Sequence, residues 1–168
     1  MNQLHQAEFQ SPIGIVEIIG TEEAIISILF TEKTEVSKPV HSDSPQVIIE
    51  CQRQLEEYFK GERMEFTIPC KSTGTEFQQK VWAALTEVPY AETVSYGSIA
   101  KAIGSDKAVR AVGNANSKNK LTIVVPCHRI IGSTGKLTGY AGTLTRKEWL
   151  LRHEKEFGKN SIPLSNER

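Results

Sequence analysis

The 168-residue chain has few cysteines, no long apolar run and no net charge. Three cysteines are too few for a disulfide framework, so a reducing, cytoplasmic setting is the expectation. The longest apolar run, residues 24–30, is far shorter than the ~20 residues that a membrane helix needs. We therefore expect no membrane contact, and the polar first residues predict no secretory signal. Hydrophobic residues still make up 39% of the chain, which is enough for a folded core.

The zero net charge conceals an uneven distribution. Residues 1–70 carry 5 basic and 12 acidic side chains, whereas residues 71–168 carry 15 basic and 8 acidic ones. Residues 95–136 alone hold 7 basic side chains and 1 acidic one. Such a segment is typical either of a solvated surface or of a site for a polyanion. Because the balance changes sign near a proline- and glycine-containing stretch, we predict two domains, 1–70 and 71–168.

The hydrophobic patterns predict a mixed α/β fold of the α+β type. Residues 13–19 and 24–30 are rich in β-branched residues and read as strands, with a hairpin-like turn between them. Apolar residues at helical spacing predict an amphipathic helix over residues 46–59. The first domain should thus be a small antiparallel sheet with a helix.

The second domain reads as mostly helical. Thr75 and Gln78 form a capping box at the start of one helix, and Thr145 and Glu148 form another. The helix that follows the second box should run to about Phe157.

Two short helices in the basic segment match a helix-turn-helix. The first spans residues 95–103 and ends at Gly104, and Asp106 is placed to cap the second. The outer face of the second helix carries Lys107, Arg110, Asn114 and Lys118. The same pattern also occurs in helical corners that bind nothing, so it leaves DNA binding open.

A cysteine stands beside a histidine after an apolar run. Residues 121–125 predict a buried strand, ended by Pro126 and followed by Cys127 and His128. A histidine can take the proton of a thiol, and a carboxylate can orient that histidine, which makes nucleophilic chemistry one reading. Because strand neighbours point to opposite faces, the two would communicate through a turn or a water. The other reading is a small buried core cysteine.

The other two cysteines carry no such signal. Cys51 lies on the apolar stripe of its helix and is expected in the core, and Cys70 lies in the linker without a nearby histidine. Their scattered spacing predicts no metal site.

The motif Pro-Cys-His-Arg at 126–129 resembles the O6-alkylguanine-DNA alkyltransferases, the methylated-DNA–protein-cysteine methyltransferases. Residues 123–125 before it, and 139–142 and 149–151 after it, add to the resemblance. The likeness is dense over about residues 73–157 and continues toward the N-terminus in outline. It implies direct-reversal DNA repair of O6-alkylguanine, with O4-alkylthymine as a further candidate lesion.

The resemblance implies a transferase consumed by its own reaction. The damaged base is flipped out of duplex DNA, bound through the minor groove, and its alkyl group passes irreversibly to Cys127. No cofactor is expected, and the protein should act as a monomer. His128 would take the thiol proton through a water, Glu154 would orient His128, and Asn119 would brace the site.

The resemblance also implies a set of residues that bind the DNA and the base. Tyr96 would donate a proton to the leaving guanine, and Arg110 would fill the gap left in the stack. Backbone groups near Ile130 and Ala141 would read the base edge. Tyr140 and Asn114 complete the predicted set.

Four positions depart from the family pattern. Lys120 and Thr122 stand where prolines are common, Thr143 replaces a glycine, and Asn116 replaces an apolar residue. None of them touches the reactive set. Two other functions remain open at this point, a non-catalytic lesion binder like the alkyltransferase-like proteins and a cysteine hydrolase. The first lacks the nucleophile present here as Cys127, and the second would leave the helix-turn-helix unexplained.

Overall fold

The computed structural model describes residues 3–132, 140 and 143–160. By residue contacts the chain forms two compact units, residues 1–74 with 120–124, and residues 75–119 with 125–168. Relative to the predicted domains 1–70 and 71–168, residues 71–74 and 120–124 fall with the first unit. Within the described residues, every helix is too short or too polar to cross a membrane.

The first unit contains an antiparallel three-stranded sheet, which confirms the predicted α/β class. Its strands follow the chain order, β1 (His5–Ser11), β2 (Gly14–Gly20) and β3 (Ile25–Phe30). Strand β1 was not predicted because its residues are mostly polar. The charged residue Glu8 of this strand is buried because its carboxylate has partners. The carboxylate accepts a hydrogen bond from the Ser37 N–H at 2.9 Å and pairs with the Lys33 ammonium.

Helix α1 (Gln46–Phe59) has the predicted bounds and packs on this sheet. Ile48, Cys51, Leu55 and Tyr58 are all almost fully buried on one face, and Cys51 is a core residue as predicted. The helix forms where the sequence places it because its apolar spacing matches the helical repeat.

The strand predicted at residues 121–125 is wrong. Leu121 pairs with Ile28 of β3 through a single bridge, and the Thr122 N–H donates to the Ile28 carbonyl at 3.2 Å. Ile123 then adopts a left-handed conformation with φ of +74°, which an extended strand does not allow. The segment therefore turns immediately before Pro126.

The second unit is mainly helical. Its elements in chain order are α2 (Glu76–Thr86), β4 (Val94–Ser95), α3 (Tyr96–Ala102), α4 (Val109–Ser117), a 3-10 helix (Cys127–Arg129), β5 (Ile130–Ile131) and α5 (Leu144–Asn160). Helices α2, α3 and α4 pack on one another, and the indole N–H of Trp82 donates to the Ala115 carbonyl at 2.9 Å.

One predicted helix cap is confirmed and two are wrong. Thr75 and Gln78 form the predicted capping box at the start of α2. Asp106 does not cap α4, which begins after Ala108 without a side-chain cap. Helix α5 begins one residue earlier than Thr145, and the Thr143 hydroxyl accepts the Arg146 N–H at 3.3 Å.

Candidate active site

The segment after Pro126 forms a 3-10 helix rather than continuing a strand. The Cys127 N–H donates to the Val125 carbonyl at 2.7 Å, and the Arg129 N–H donates to the Pro126 carbonyl at 2.9 Å. Cys127, His128 and Arg129 are all buried. The winding of this helix removes the strict alternation of a strand, so neighbouring side chains can serve the same site.

The carboxylate of Glu154 accepts hydrogen bonds from His128, Arg129 and Ala91. One oxygen accepts from His128 Nε2 at 2.6 Å and from an Arg129 Nη at 3.0 Å. The other accepts from Arg129 Nε at 2.9 Å and from the Ala91 N–H at 3.2 Å. A second Nη of Arg129 donates to the Val88 carbonyl at 2.7 Å. We call this arrangement of Glu154, His128, Arg129 and Ala91 the Glu154 clamp. It fixes the position of His128 relative to helix α5.

The electrostatics of the clamp define the state of the imidazole. Burial alone would raise the pKa of Glu154, but His128 and Arg129 outweigh it and lower that pKa, so the carboxylate is ionised. Burial lowers the pKa of His128 despite the opposing effect of Glu154, so the ring is neutral near pH 7. Because Nε2 must donate to an ionised carboxylate, Nδ1 carries the lone pair. Within the described part of the chain, Nδ1 has no hydrogen-bond partner.

Cys127 is 2% exposed and is held by two asparagines. The Asn119 amide donates to Cys127 Sγ at 3.2 Å and to the Val125 carbonyl at 3.0 Å. The Asn116 amide donates to the Cys127 carbonyl at 3.3 Å. Burial raises the pKa of the Cys127 thiol to about 11, against smaller opposing effects of Asn119 and Lys147. The thiol is thus protonated at rest and needs a base to become nucleophilic.

Tyr96 is joined to the nucleophile segment through a short sheet. Strands β4 and β5 pair in parallel, Val94 with Ile130 and Ser95 with Ile131. Tyr96 follows β4 directly, and Ile130 follows the 3-10 helix directly. A Cβ added at Gly113 would lie 3.6 Å from the Tyr96 ring, so the ring packs closely on α4. This pairing links Tyr96 to the segment that carries Cys127.

The remaining predicted residues fall into three places. Arg110 and Asn114 lie on the exposed face of α4, where they line a groove with Lys107, Ala108 and Ala111. Ile130 is fully buried next to the 3-10 helix. Tyr140 is buried, which raises the pKa of its phenol well above the usual value, with a further contribution from Cys127. Ala141 lies outside the described residues.

The structure adds three residues that sequence reasoning did not assign to the site. Arg129 is part of the Pro-Cys-His-Arg motif. The motif does not show that Arg129 and His128 both form hydrogen bonds to the Glu154 carboxylate. The expectation that Asn116 does not touch the reactive residues is wrong, because its amide donates a hydrogen bond to the Cys127 carbonyl. Lys147 is 0% exposed, and its spacing of seven residues from Glu154 was an available signal that the two share a helix face. No three metal-ligating side chains meet in residues 3–132, 140 and 143–160.

A substitution at Gly158 should disturb this clamp. Ala91, which donates to Glu154, has a φ of +69°, and a Cβ added at Gly158 would lie 2.7 Å from the Ala91 Cβ. We expect Gly158→Ala to lower the free energy of unfolding by about 1–3 kcal/mol through overpacking, measured by urea denaturation. Gly97→Ala is the control, because Gly97 is exposed on α3 and an added Cβ would lie 3.9 Å from the nearest atom, the Ser95 hydroxyl oxygen. Equal stability of the two variants would contradict this packing.

Comparison with protein families covers both units. Residues 76–156 match the family described as 6-O-methylguanine DNA methyltransferase, DNA binding domain. Residues 4–71 match 6-O-methylguanine DNA methyltransferase, ribonuclease-like domain.

Individual relatives extend over nearly the whole chain. A methylated-DNA–protein-cysteine methyltransferase of Methanosarcina acetivorans is 48% identical over 153 residues, covering 90% of this chain and 98% of the relative. The constitutive enzyme of that name from Bacillus subtilis is 46% identical, covering 92% and 96%.

Solved structures agree with these relatives. The crystal structure of Mycobacterium tuberculosis O6-methylguanine methyltransferase superposes with a TM-score of 0.81 at 42% identity, covering 92% of this chain and 94% of that one. A complex of the M. tuberculosis protein with DNA has a TM-score of 0.82 at 43% identity, covering 91% and 94%. The resemblance inferred from the Pro-Cys-His-Arg motif is confirmed. The chain belongs to the 6-O-methylguanine DNA methyltransferase family and is a methyltransferase of DNA alkyl repair.

Proposed function

We propose that the chain repairs O6-alkylguanine in double-stranded DNA by moving the alkyl group onto Cys127, with O4-alkylthymine as a further substrate. The observation that carries this proposal is the arrangement of Cys127 and His128 in one 3-10 helix. Asn119 donates to Cys127 Sγ, while Glu154 holds His128 Nε2 and leaves Nδ1 with its lone pair. This set supplies a nucleophile and a base of the kind that thiol chemistry requires.

The reaction begins with the proton of the Cys127 thiol. His128 Nδ1 takes this proton through a water, and the imidazolium is stabilised by the Glu154 carboxylate. The thiolate attacks the alkyl carbon in line, so that the S–C bond forms as the bond from that carbon to guanine O6 breaks. The electron pair stays on the guanine, which Tyr96 protonates. Tyr96 then regains a proton from the His128 imidazolium, which holds the proton first lost by the thiol. The protein therefore gains only the alkyl group in place of the thiol proton.

The position of the sulfur supports base flipping. A thiol that is 2% exposed lies out of reach of an alkyl group within stacked DNA, which is the situation in which enzymes take the base out of the stack. Backbone groups of Ile130 and Ala141 read the edge of the flipped base, and Tyr140 lines its site. The fit of the Tyr96 ring against Gly113 supports a fixed tyrosine beside the base.

The DNA is bound in its minor groove by the helix-turn-helix formed by α3 and α4. Lys107, which precedes α4, and Arg110 on α4 are exposed and support this assignment, since cations favour the phosphate backbone, and the polar Asn114 lines the same groove. The complex of the M. tuberculosis protein with DNA, at 43% identity, supports the same partner. The protein acts as a monomer in the cytoplasm.

Each molecule acts once because a thioether has no good leaving group at neutral pH. Duplex DNA with O6-methylguanine, supplied in excess, tests this directly. We expect the amount of repaired guanine to reach a plateau at one per protein chain. Continued repair beyond the plateau would show a catalyst that turns over and would contradict the proposal.

Arg110→Ala should slow repair without harming the fold. Arg110 lies exposed on α4 and fills the gap left by the flipped base, so its loss removes stabilisation of the extruded state. We expect a rate at least about tenfold lower, equivalent to about 1.4 kcal/mol, in single-turnover repair of a duplex substrate. Arg152→Ala on α5, where the side chain is also exposed, is the matched control and should repair at the normal rate. A normal rate in Arg110→Ala would remove this residue from its role.

A further inference from the structure

Helix α5, which packs on the 3-10 helix Cys127–Arg129, carries two buried charges on one face. Lys147, Leu150 and Glu154 are each 0% exposed, and their spacing of three and four residues puts them on one face. The two helices pack directly on each other. Glu154 uses this face to hold His128 and Arg129, while Lys147 lies two helical turns earlier on the same face.

A fully buried lysine is unusual, because removing an ammonium from water is costly unless an anion or hydrogen bonds compensate. Burial lowers the pKa of Lys147 to about 8, and the negative charge that Cys127 carries as a thiolate opposes this effect. The interaction is mutual, since Lys147 also lowers the pKa of Cys127. At neutral pH the lysine is mostly protonated, so the buried face of α5 carries a positive charge that acts electrostatically on the Cys127 sulfur.

The other charged and titratable groups around Cys127 do not duplicate this charge. On its own helix, His128 is neutral, and the Arg129 guanidinium is bound to the Glu154 carboxylate of α5. Tyr140 is protonated because burial raises its pKa. Asn119 donates a hydrogen bond to Sγ but carries no charge. Among the described residues, Lys147 is thus the cation that acts on the sulfur itself.

We propose that Lys147 is a positioning residue whose ammonium stabilises the thiolate of Cys127. The idea deepens the proposed function and rests on Cys127 being the alkyl acceptor. His128 still removes the thiol proton, and Lys147 keeps its own proton throughout. When the S–C bond forms, the sulfur loses its negative charge, so the stabilisation by Lys147 acts before transfer and ends with it.

Lys147→Met tests the charge while keeping the length and apolar stem of the side chain. The readout is the rate at which iodoacetamide alkylates Cys127, followed by peptide mass spectrometry so that Cys51 and Cys70 are counted separately. Below the thiol pKa this rate follows the thiolate fraction, and a pKa rise of one unit lowers it about tenfold. We expect the variant to react about tenfold more slowly at pH 7. Lys155→Met, on the exposed side of the same helix, should react like the unaltered protein.

The pH dependence distinguishes a charge effect from a structural one. Since Lys147 loses its proton near pH 8, the advantage of the unaltered protein should shrink as the pH rises and vanish above about pH 9. Lys147→Arg, which keeps a cation, should recover part of the rate at pH 7. Equal rates for Lys147→Met and the unaltered protein at pH 7, or a rate ratio that stays constant between pH 7 and 10, would overturn the proposal.

Repair of an O6-methylguanine duplex separates this inference from the proposed function. If the iodoacetamide rates behave as expected but the unaltered protein transfers no methyl group, the ion pair stands and the proposed function fails. If the unaltered protein repairs DNA while Lys147→Met and Lys147→Gln keep normal iodoacetamide rates, the proposed function stands and the role of Lys147 fails. Methionine and glutamine retain most of the buried stem of the lysine, so we expect both variants to fold, which circular dichroism and urea denaturation check.

Discussion

Replacing Cys127 with alanine is expected to abolish alkyl transfer and to leave binding of damaged DNA intact. The side chain supplies the sulfur that forms the new bond, and no neighbouring group can replace it. Alanine fits the space of a small buried residue, and the Asn116 hydrogen bond goes to the Cys127 carbonyl, which the substitution keeps. Transfer from a labelled O6-methylguanine duplex and the dissociation constant for the same duplex are the two measurements.

The matched control is Cys70→Ala, because Cys70 is exposed and lies outside the site. It should transfer the label at the normal rate. Loss of transfer in Cys70→Ala with normal transfer in Cys127→Ala would move the nucleophile to the other unit. If the unaltered protein bound the lesion without transferring its label, the chain would instead be a lesion binder. Turnover of an acyl substrate would favour a cysteine hydrolase.

Glu154→Gln is expected to cause the largest loss of stability of any single substitution considered for this site. The change leaves the Arg129 guanidinium buried without its anion, and breaking a buried pair in this way costs about 3–5 kcal/mol. Glutamine keeps one oxygen as an acceptor, so the effect comes mainly from the lost charge. Urea denaturation followed by tryptophan fluorescence measures the free energy of unfolding.

Glu148→Gln on the same helix provides the control. Glu148 is largely exposed and pairs with Arg152 at 2.8 Å, and exposed pairs of this kind contribute only about 0–1 kcal/mol. A loss in Glu154→Gln no larger than in Glu148→Gln would contradict the buried clamp.

The contribution of Glu154 should also depend on pH. Its pKa is lowered in the folded protein from an ordinary value near 4.5, so its stabilisation is fully present above that value. It is lost as the pH falls through and below this value toward the lowered pKa. We expect the unaltered protein to lose this part of its stability between neutral and strongly acidic pH, whereas Glu154→Gln should lack this component.

Features that depend on neighbouring residues in the chain were predictable from sequence. The bounds of α1 follow from its apolar spacing, and the start of α2 follows from Thr75 and Gln78. The Pro-Cys-His-Arg motif identified the family. The resemblance predicted that Glu154 lies beside His128, whereas the hydrogen bonds from Arg129 and Ala91 to the same carboxylate became visible only in the structure.

Features that depend on distant contacts were not predictable. The apolar residues 121–125 satisfy a strand pattern, yet the left-handed conformation of Ile123 and the bridge to Ile28 turn the chain instead. Lys147 lies in a polar first turn, where a solvated charge is the ordinary expectation, yet the fold buries it completely. Asp106 has the right residue type for a cap but lies two residues before the position that α4 uses.

The central claim is that the Cys127 sulfur accepts and keeps the alkyl group. Mass spectrometry of the whole protein, followed by peptide mapping after incubation with an excess of O6-methylguanine duplex, tests it most directly. The account predicts one added methyl group per chain, located on Cys127 and persisting after the DNA is removed. Repaired DNA with an unmodified protein, or a methyl group on Cys51 or Cys70, would contradict it.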